Sequence, residues 1–97
     1  MAVRTVGIDL AIRGAHVATL VAADGSTIGR PIRFRLTAAD LTALVTRIRA
    51  GLGADEEVLV VVEPTGMAWF PVARWLERAG CTVIRVKGAR VKALRRY

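Results

Sequence analysis

The chain is poor in the residues that staple or decorate small domains. It has one cysteine, Cys81, so neither an internal disulfide nor a cysteine-based zinc cluster can form. Cys81 precedes an apolar run and reads as a small buried residue at a strand start. The single histidine, His16, lies in the apolar stretch 15–22 and reads as structural rather than as a ligand. No apolar run approaches the roughly 18 to 20 residues that a membrane span needs. Met1-Ala2-Val3-Arg4 leads straight into a strand without a signal-peptide pattern, so a cytoplasmic protein with no membrane partner is expected. Acidic residues are scarce as well: 8 against 15 Lys plus Arg, a formal net charge of +7. That excess favours polyanionic partners such as nucleic acid.

What remains is the composition of a folded protein, 54% hydrophobic and 24% charged, with no low-complexity tract. At 97 residues it is one domain at most, burying roughly 60 to 65% of its unfolded surface around a thin core.

Residues 3–10 alternate as a strand, with Val6, Ile8 and Leu10 on one face and Thr5, Gly7 and Asp9 on the other. Gly14 marks a turn, residues 15–22 make a second strand, and Asp24-Gly25 signals a hairpin into a third over 27–35. In that third strand Ile32, Phe34 and Leu36 alternate with Arg33 and Arg35, the pattern of a half-buried edge strand. Thr37-Ala38-Ala39-Asp40 resembles a capping box with Asp in place of Glu. Leu41, Leu44, Val45, Ile48 and Leu52 follow at helical spacing, closed by Gly51 and Gly53.

Residues 57–63 hold five consecutive apolar positions, which predicts a central strand covered on both faces. A second helix follows from Trp69, Val72, Ala73 and Leu76, with Pro71 near its first turn and Gly80 as its stop. Residues 82–86 form a fifth strand, and residues 89–97 look helical, Val91 and Leu94 lying among basic residues. The expected order is β-β-β-α-β-α-β with a further helix. A right-handed crossover then gives sheet order 3-2-1-4-5, with the first and fourth strands parallel neighbours. No cap follows residue 97, so a domain incomplete at its C-terminus is expected.

In such a sheet Asp9 and Glu63 close two adjacent parallel strands, about 4.8 Å apart, and both carboxylates sit where open α/β sheets place ligands. They can share a divalent cation as half of a phosphodiester-chemistry site, in which clustered carboxylates are the usual ligands. Lys87, Arg90, Lys92, Arg95 and Arg96 form a basic stripe without an acid and are the candidate nucleic-acid contacts. Arg30, Arg33 and Arg35 make a second candidate patch. Thr65-Gly66 offers backbone N–H groups at a helix start, a weak anion signal. Trp69 fits an apolar stripe and reads as core rather than as a base-stacking platform.

This order is that of the ribonuclease H-like fold, and local sequence sharpens the likeness. Val6-Gly7-Ile8-Asp9-Leu10-Ala11, His16-Val17-Ala18, Val62-Glu63-Pro64-Thr65-Gly66 with Trp69-Phe70-Pro71, and Val91-Lys92-Ala93-Leu94-Arg95 resemble the insertion sequence 110 family of transposases. The resemblance is to their N-terminal RuvC-like domain and spans nearly the whole chain. It implies a D-E-D-D set of acids, of which Asp9 and Glu63 match the first two, with Mg2+ as cofactor, whose binding is expected to be weak or absent in this chain alone. It also implies metal-dependent cleavage and rejoining of DNA in transposition, a structured guide RNA and assembly into homo-oligomers. The last two acids and the family's serine-bearing domain would follow residue 97, so the chain alone is expected to be inactive. Ile12 stands where the family often has lysine, and Lys87-Gly88 where it often has Asn-Pro. Two other readings fit parts of the pattern. One is a noncatalytic nucleic-acid-binding or assembly module; the other is an actin-like or sugar-kinase ATPase fragment, against which Leu10-Ala11-Ile12-Arg13 lacks the glycine and hydroxyl residues of a phosphate loop.

Overall fold

β1 (Ala2–Asp9), β2 (His16–Val21) and β3 (Thr27–Phe34) form an antiparallel meander, and α1 (Ala38–Arg49), β4 (Glu56–Val62), α2 (Trp69–Arg78) and β5 (Thr82–Arg85) follow. These elements come from a computed structural model that describes residues 2–11, 14–63 and 69–86. The five strands make one sheet in the order β3-β2-β1-β4-β5, with β4 parallel to both β1 and β5. Element order and sheet order are those expected from the sequence; the helix expected over 89–97 lies outside the described residues. β4 is flanked on both sides, although the middle position belongs to β1.

The hairpin between β2 and β3 follows the Asp24-Gly25 signal. Gly25 donates to the Ala22 carbonyl, Ala22 donates to that of Ser26, and Gly25 takes φ 89°, a left-handed value that suits glycine. The Asp24 carboxylate accepts from both the Ser26 N–H and its hydroxyl, which closes the turn.

β3 is less regular than its alternation suggests. Ala18 pairs with Ile32 and Leu20 with Ile28, so a two-residue step on β2 faces a four-residue step on β3. The surplus falls at Gly29-Arg30-Pro31, where Gly29 has φ 66° and Pro31 has no N–H to donate. Leu36, expected to continue the buried face, is 43% exposed because the strand ends at Phe34 and the chain turns into α1.

Thr37 caps α1 by accepting from the Asp40 N–H at 3.1 Å. The reciprocal half of the capping box does not form. Asp40 instead accepts from the N–H of Arg35, two residues before the cap. At the other end Ala50 (φ −59°, ψ 123°) and Gly51 (φ 70°) make a type II turn, closed by Leu52 N–H to the Arg49 carbonyl. Leu52 therefore lies past the helix, yet still packs on the core. α2 carries Pro71 in its first turn, where a missing N–H costs nothing. It ends in a complete Schellman motif: Cys81 N–H to the Leu76 carbonyl, Gly80 N–H to that of Glu77, and Gly80 at φ 92°.

Both helices cover one face of the sheet. Val6, Ile8, Ala18, Leu20, Phe34, Val58, Val60 and Val62 pack there with Leu41, Leu44, Ile48, Val72 and Leu76. On the second face Val61 is buried, Leu59 is half-buried, and Val3 and Ile84 are 37% and 41% exposed. The five-residue apolar run of β4 is thus covered by helices at three positions, not along both faces.

Arg4 sits among the buried positions of β1, only 6% exposed. Its Nη1 donates to the carbonyls of Ile48 and Ala50, each at 2.7 Å. Those carbonyls belong to a helix end that has no partners of its own, and the positive charge also complements the helix dipole. Arg49, in that same last turn, donates to the Ala79 carbonyl at the end of α2. Arg4→Met is expected to cost about 2–4 kcal/mol, since it leaves two carbonyls unpaired at a buried site; urea unfolding with an unchanged m-value checks this. Gly80→Ala should cost about 1–2 kcal/mol, because φ 92° disfavours any Cβ and the added atom would meet Arg49 Nη2 at 2.7 Å.

Candidate carboxylate site at the sheet edge

β1 and β4 run parallel in unbroken register from Ala2 opposite Glu56 to Ile8 opposite Val62. Asp9 and Glu63 are the next residues of the two chains, so the ladder carries them to adjacent places at the carboxyl edge of the sheet. Both are half-buried. Ile8 belongs to the helix-covered core, and alternation puts Asp9 on the opposite face. Asp9 is also held from its other side, pairing with Val17 of β2. β5 reaches the same edge: Arg85 pairs with Val62, and Val86 N–H donates to the Val62 carbonyl at 2.9 Å. Among the described residues no group of three or more His, Cys, Asp or Glu comes together.

Aromatic and basic side chains border this edge. The Arg85 guanidinium lies 4.3 Å from the centroid of the Trp69 ring. Trp69 and Phe70 meet edge to face at 5.5 Å, and Arg74 sits 5.9 Å from the Phe70 ring. Trp69 packs on the core as expected, but the arginine on its outer side was not legible from helix periodicity. A basic residue at the end of a strand that returns beside an aromatic helix start is the only sequence signal for it.

The sequence model of one family, described as Transposase of the insertion sequence 110 DEDD type, matches residues 6–97 and so includes both acids. The chain belongs to the insertion sequence 110 DEDD transposases. No curated protein matches it.

In this transposase chain the basic residues Lys87, Arg90, Lys92, Arg95 and Arg96 lie outside the described residues, as do Ile12, Thr65 and Gly66. Arg30, Arg33 and Arg35 are all exposed but do not form one strand face. Arg30 is in the β3 bulge, Arg33 pairs with Val17 on the second sheet face, and Arg35 lies beyond the strand. Arg47 of α1 reaches the same region, its Nη2 only 3.6 Å from the position a Cβ on Gly29 would take. No helix among the described residues is long and apolar enough to cross a membrane.

His16 and Cys81 have the structural roles expected of them. Cys81 is free and buried, and burial pushes its thiol pKa up. His16 is 6% exposed, tilts against Phe34 with ring centroids 5.5 Å apart, and accepts at Nδ1 from the Ala11 N–H at 2.9 Å. This bond closes the chain as it leaves β1, two residues after Asp9. It requires a neutral ring, and burial holds the imidazole pKa below its ordinary 6.5. The unfolded chain therefore binds this proton more readily than the folded one, so the contribution is complete above about pH 6.5 and is lost as pH falls below it. Thermal unfolding between pH 7.5 and 5.5 should show a falling Tm, and a His16→Phe variant should be flatter across that window.

Proposed function

We propose that this chain is the leading part of a ribonuclease H-like, RuvC-like transposase domain in which Asp9 and Glu63 are the first two acids of the D-E-D-D set. The domain acts in metal-dependent cleavage and rejoining of DNA strands during transposition. The observation that carries this reading is the register: two acids at consecutive places on the carboxyl edge of paired parallel strands, inside the region that matches the family. Sheet order and the side-by-side β1 and β4 support the fold assignment.

The donor set fits magnesium, a hard cation that prefers carboxylate oxygens and is commonly held by one or two of them. When bound, the ion supplies charge neutralisation at the phosphate and makes an oxygen nucleophile easier to form. The chain's own contribution is position. Asp9 closes β1 and Glu63 follows β4, and the ladder between those strands supports the backbone positions of both acids before any cation arrives. The formal charge of +7 supplies long-range attraction for DNA, and with it an affinity that falls as salt rises. The same reading extends to a guide RNA and to assembly of several copies, as the family implies.

Cation binding is testable on the whole chain. Mg2+ or Mn2+ a few-fold above its dissociation constant stabilises a folded binder by about 1 kcal/mol, which for a domain of this size raises Tm by about 4–8 °C. Asp9→Asn and Glu63→Gln should each remove most of that increase. The reading fails if the parent shows no cation-dependent shift, or if both variants retain it in full.

A further inference from the structure

α2 concentrates aromatic residues in a chain that has few of them. Of two tryptophans, two phenylalanines and one tyrosine, Trp69, Phe70 and Trp75 fall within its ten residues. Trp69 and Trp75 pack against the core. Phe70 does not: it is 50% exposed, while the buried face of α2 is made by Val72, Ala73 and Leu76. Burial therefore does not account for an aromatic at this place. Its neighbours give it a different character. Arg85, Trp69, Phe70 and Arg74 follow one another as cation, ring, ring and cation, at 4.3, 5.5 and 5.9 Å. Both arginines are exposed. The one acid of α2, Glu77, lies a turn beyond Arg74.

An unpaired nucleic-acid strand offers the complementary chemistry, a phosphate at each nucleotide and a base face free to stack. A guanidinium over a ring keeps edge N–H groups directed outward for phosphate oxygens, and an exposed ring accepts a base regardless of its identity. A duplex hides its base faces and could use only the arginines. Arg85 pairs with Val62, one residue before Glu63, so this surface borders the carboxylate edge.

We propose that Arg85, Trp69, Phe70 and Arg74 form a platform for an unpaired nucleic-acid strand, with Phe70 stacking on a base and the two guanidiniums engaging flanking phosphates. The proposal rests on nucleic acid being the partner of this chain and is independent of cation binding at Asp9 and Glu63.

The test is fluorescence anisotropy on the whole chain with labelled oligothymidylate, oligouridylate and a duplex of equal length. Phe70→Ala should weaken single-strand binding about ten-fold, the loss of one stacked base, and leave duplex binding within about two-fold. Phe70→Tyr should retain the parent affinity, and because the ring lies outside the core, thermal unfolding of both variants should match the parent. Arg85→Gln should reduce the slope of log affinity against log salt by about 0.7 for single strands. Equal losses on thymidylate and uridylate identify stacking indifferent to the sugar; a loss on one alone assigns the platform to DNA or to RNA. Equal losses on single strand and duplex, or no loss on either, overturn the platform. A parent chain that binds no oligonucleotide also overturns it, yet leaves any cation-dependent Tm shift intact; loss of that shift alone overturns only the carboxylate reading.

Discussion

A single buried guanidinium ties the helical layer to the sheet. Arg4 enters the core side of β1 among valines and isoleucine, and its two bonds to Ile48 and Ala50 fix where α1 ends. Arg49, one residue before Ala50, then bonds to the end of α2. Both helix ends are thus referenced, directly or through one relay, to the first strand. Such an arrangement is costly unless the charge finds strong acceptors, and unpaired helix carbonyls are among the best available within a protein. Nε remains buried without a hydrogen-bond partner, so the desolvation is only partly offset.

The same strand carries Asp9 at its far end. β1 is therefore both the anchor for the helices and one arm of the carboxylate pair, and its parallel partner β4 carries the other arm. Parallel pairing matters here because it brings equivalent ends of two strands to one edge, whereas an antiparallel neighbour would have placed Glu63 at the opposite side of the molecule. The apolar face that α1 and α2 cover supplies the rigidity, and the two acids adjoin its buried residues Ile8, Leu10 and Val62 in sequence.

Much of this was legible in the sequence because its signals are local. Alternation marked β1 and β3, Asp24-Gly25 marked the hairpin, the Val-rich run marked β4, and Gly51 and Gly80 marked the helix ends. The order of the sheet followed from connection rules applied to those elements. What escaped depends on groups far apart in the chain. Arg4 looks like one more charged residue on a strand until the carbonyl of Ile48 lies beside it. Arg85 looks like a solvated strand end until Trp69 is folded beneath it. The β3 bulge hid behind the regular spacing of Ile32 and Phe34, and the capping box failed in one half because Asp40 found the N–H of Arg35. For the site, the two acids were visible as strand ends, but their register was not, since no periodicity tells one parallel strand how far to slide along another.

The bulge at Gly29-Arg30-Pro31 gives the sheet a direction of growth. A neighbouring strand approaching β3 would meet a displaced backbone, a proline that offers no donor, and arginines along the rim. The opposite border is β5, four residues in regular register with β4 and free of proline. Any strand that extends this sheet, from the same polypeptide or another, is therefore directed to the β5 side, away from the meander and next to the row in which Arg85, Val62 and Ile8 succeed one another across the ladder, one residue before Glu63 and Asp9.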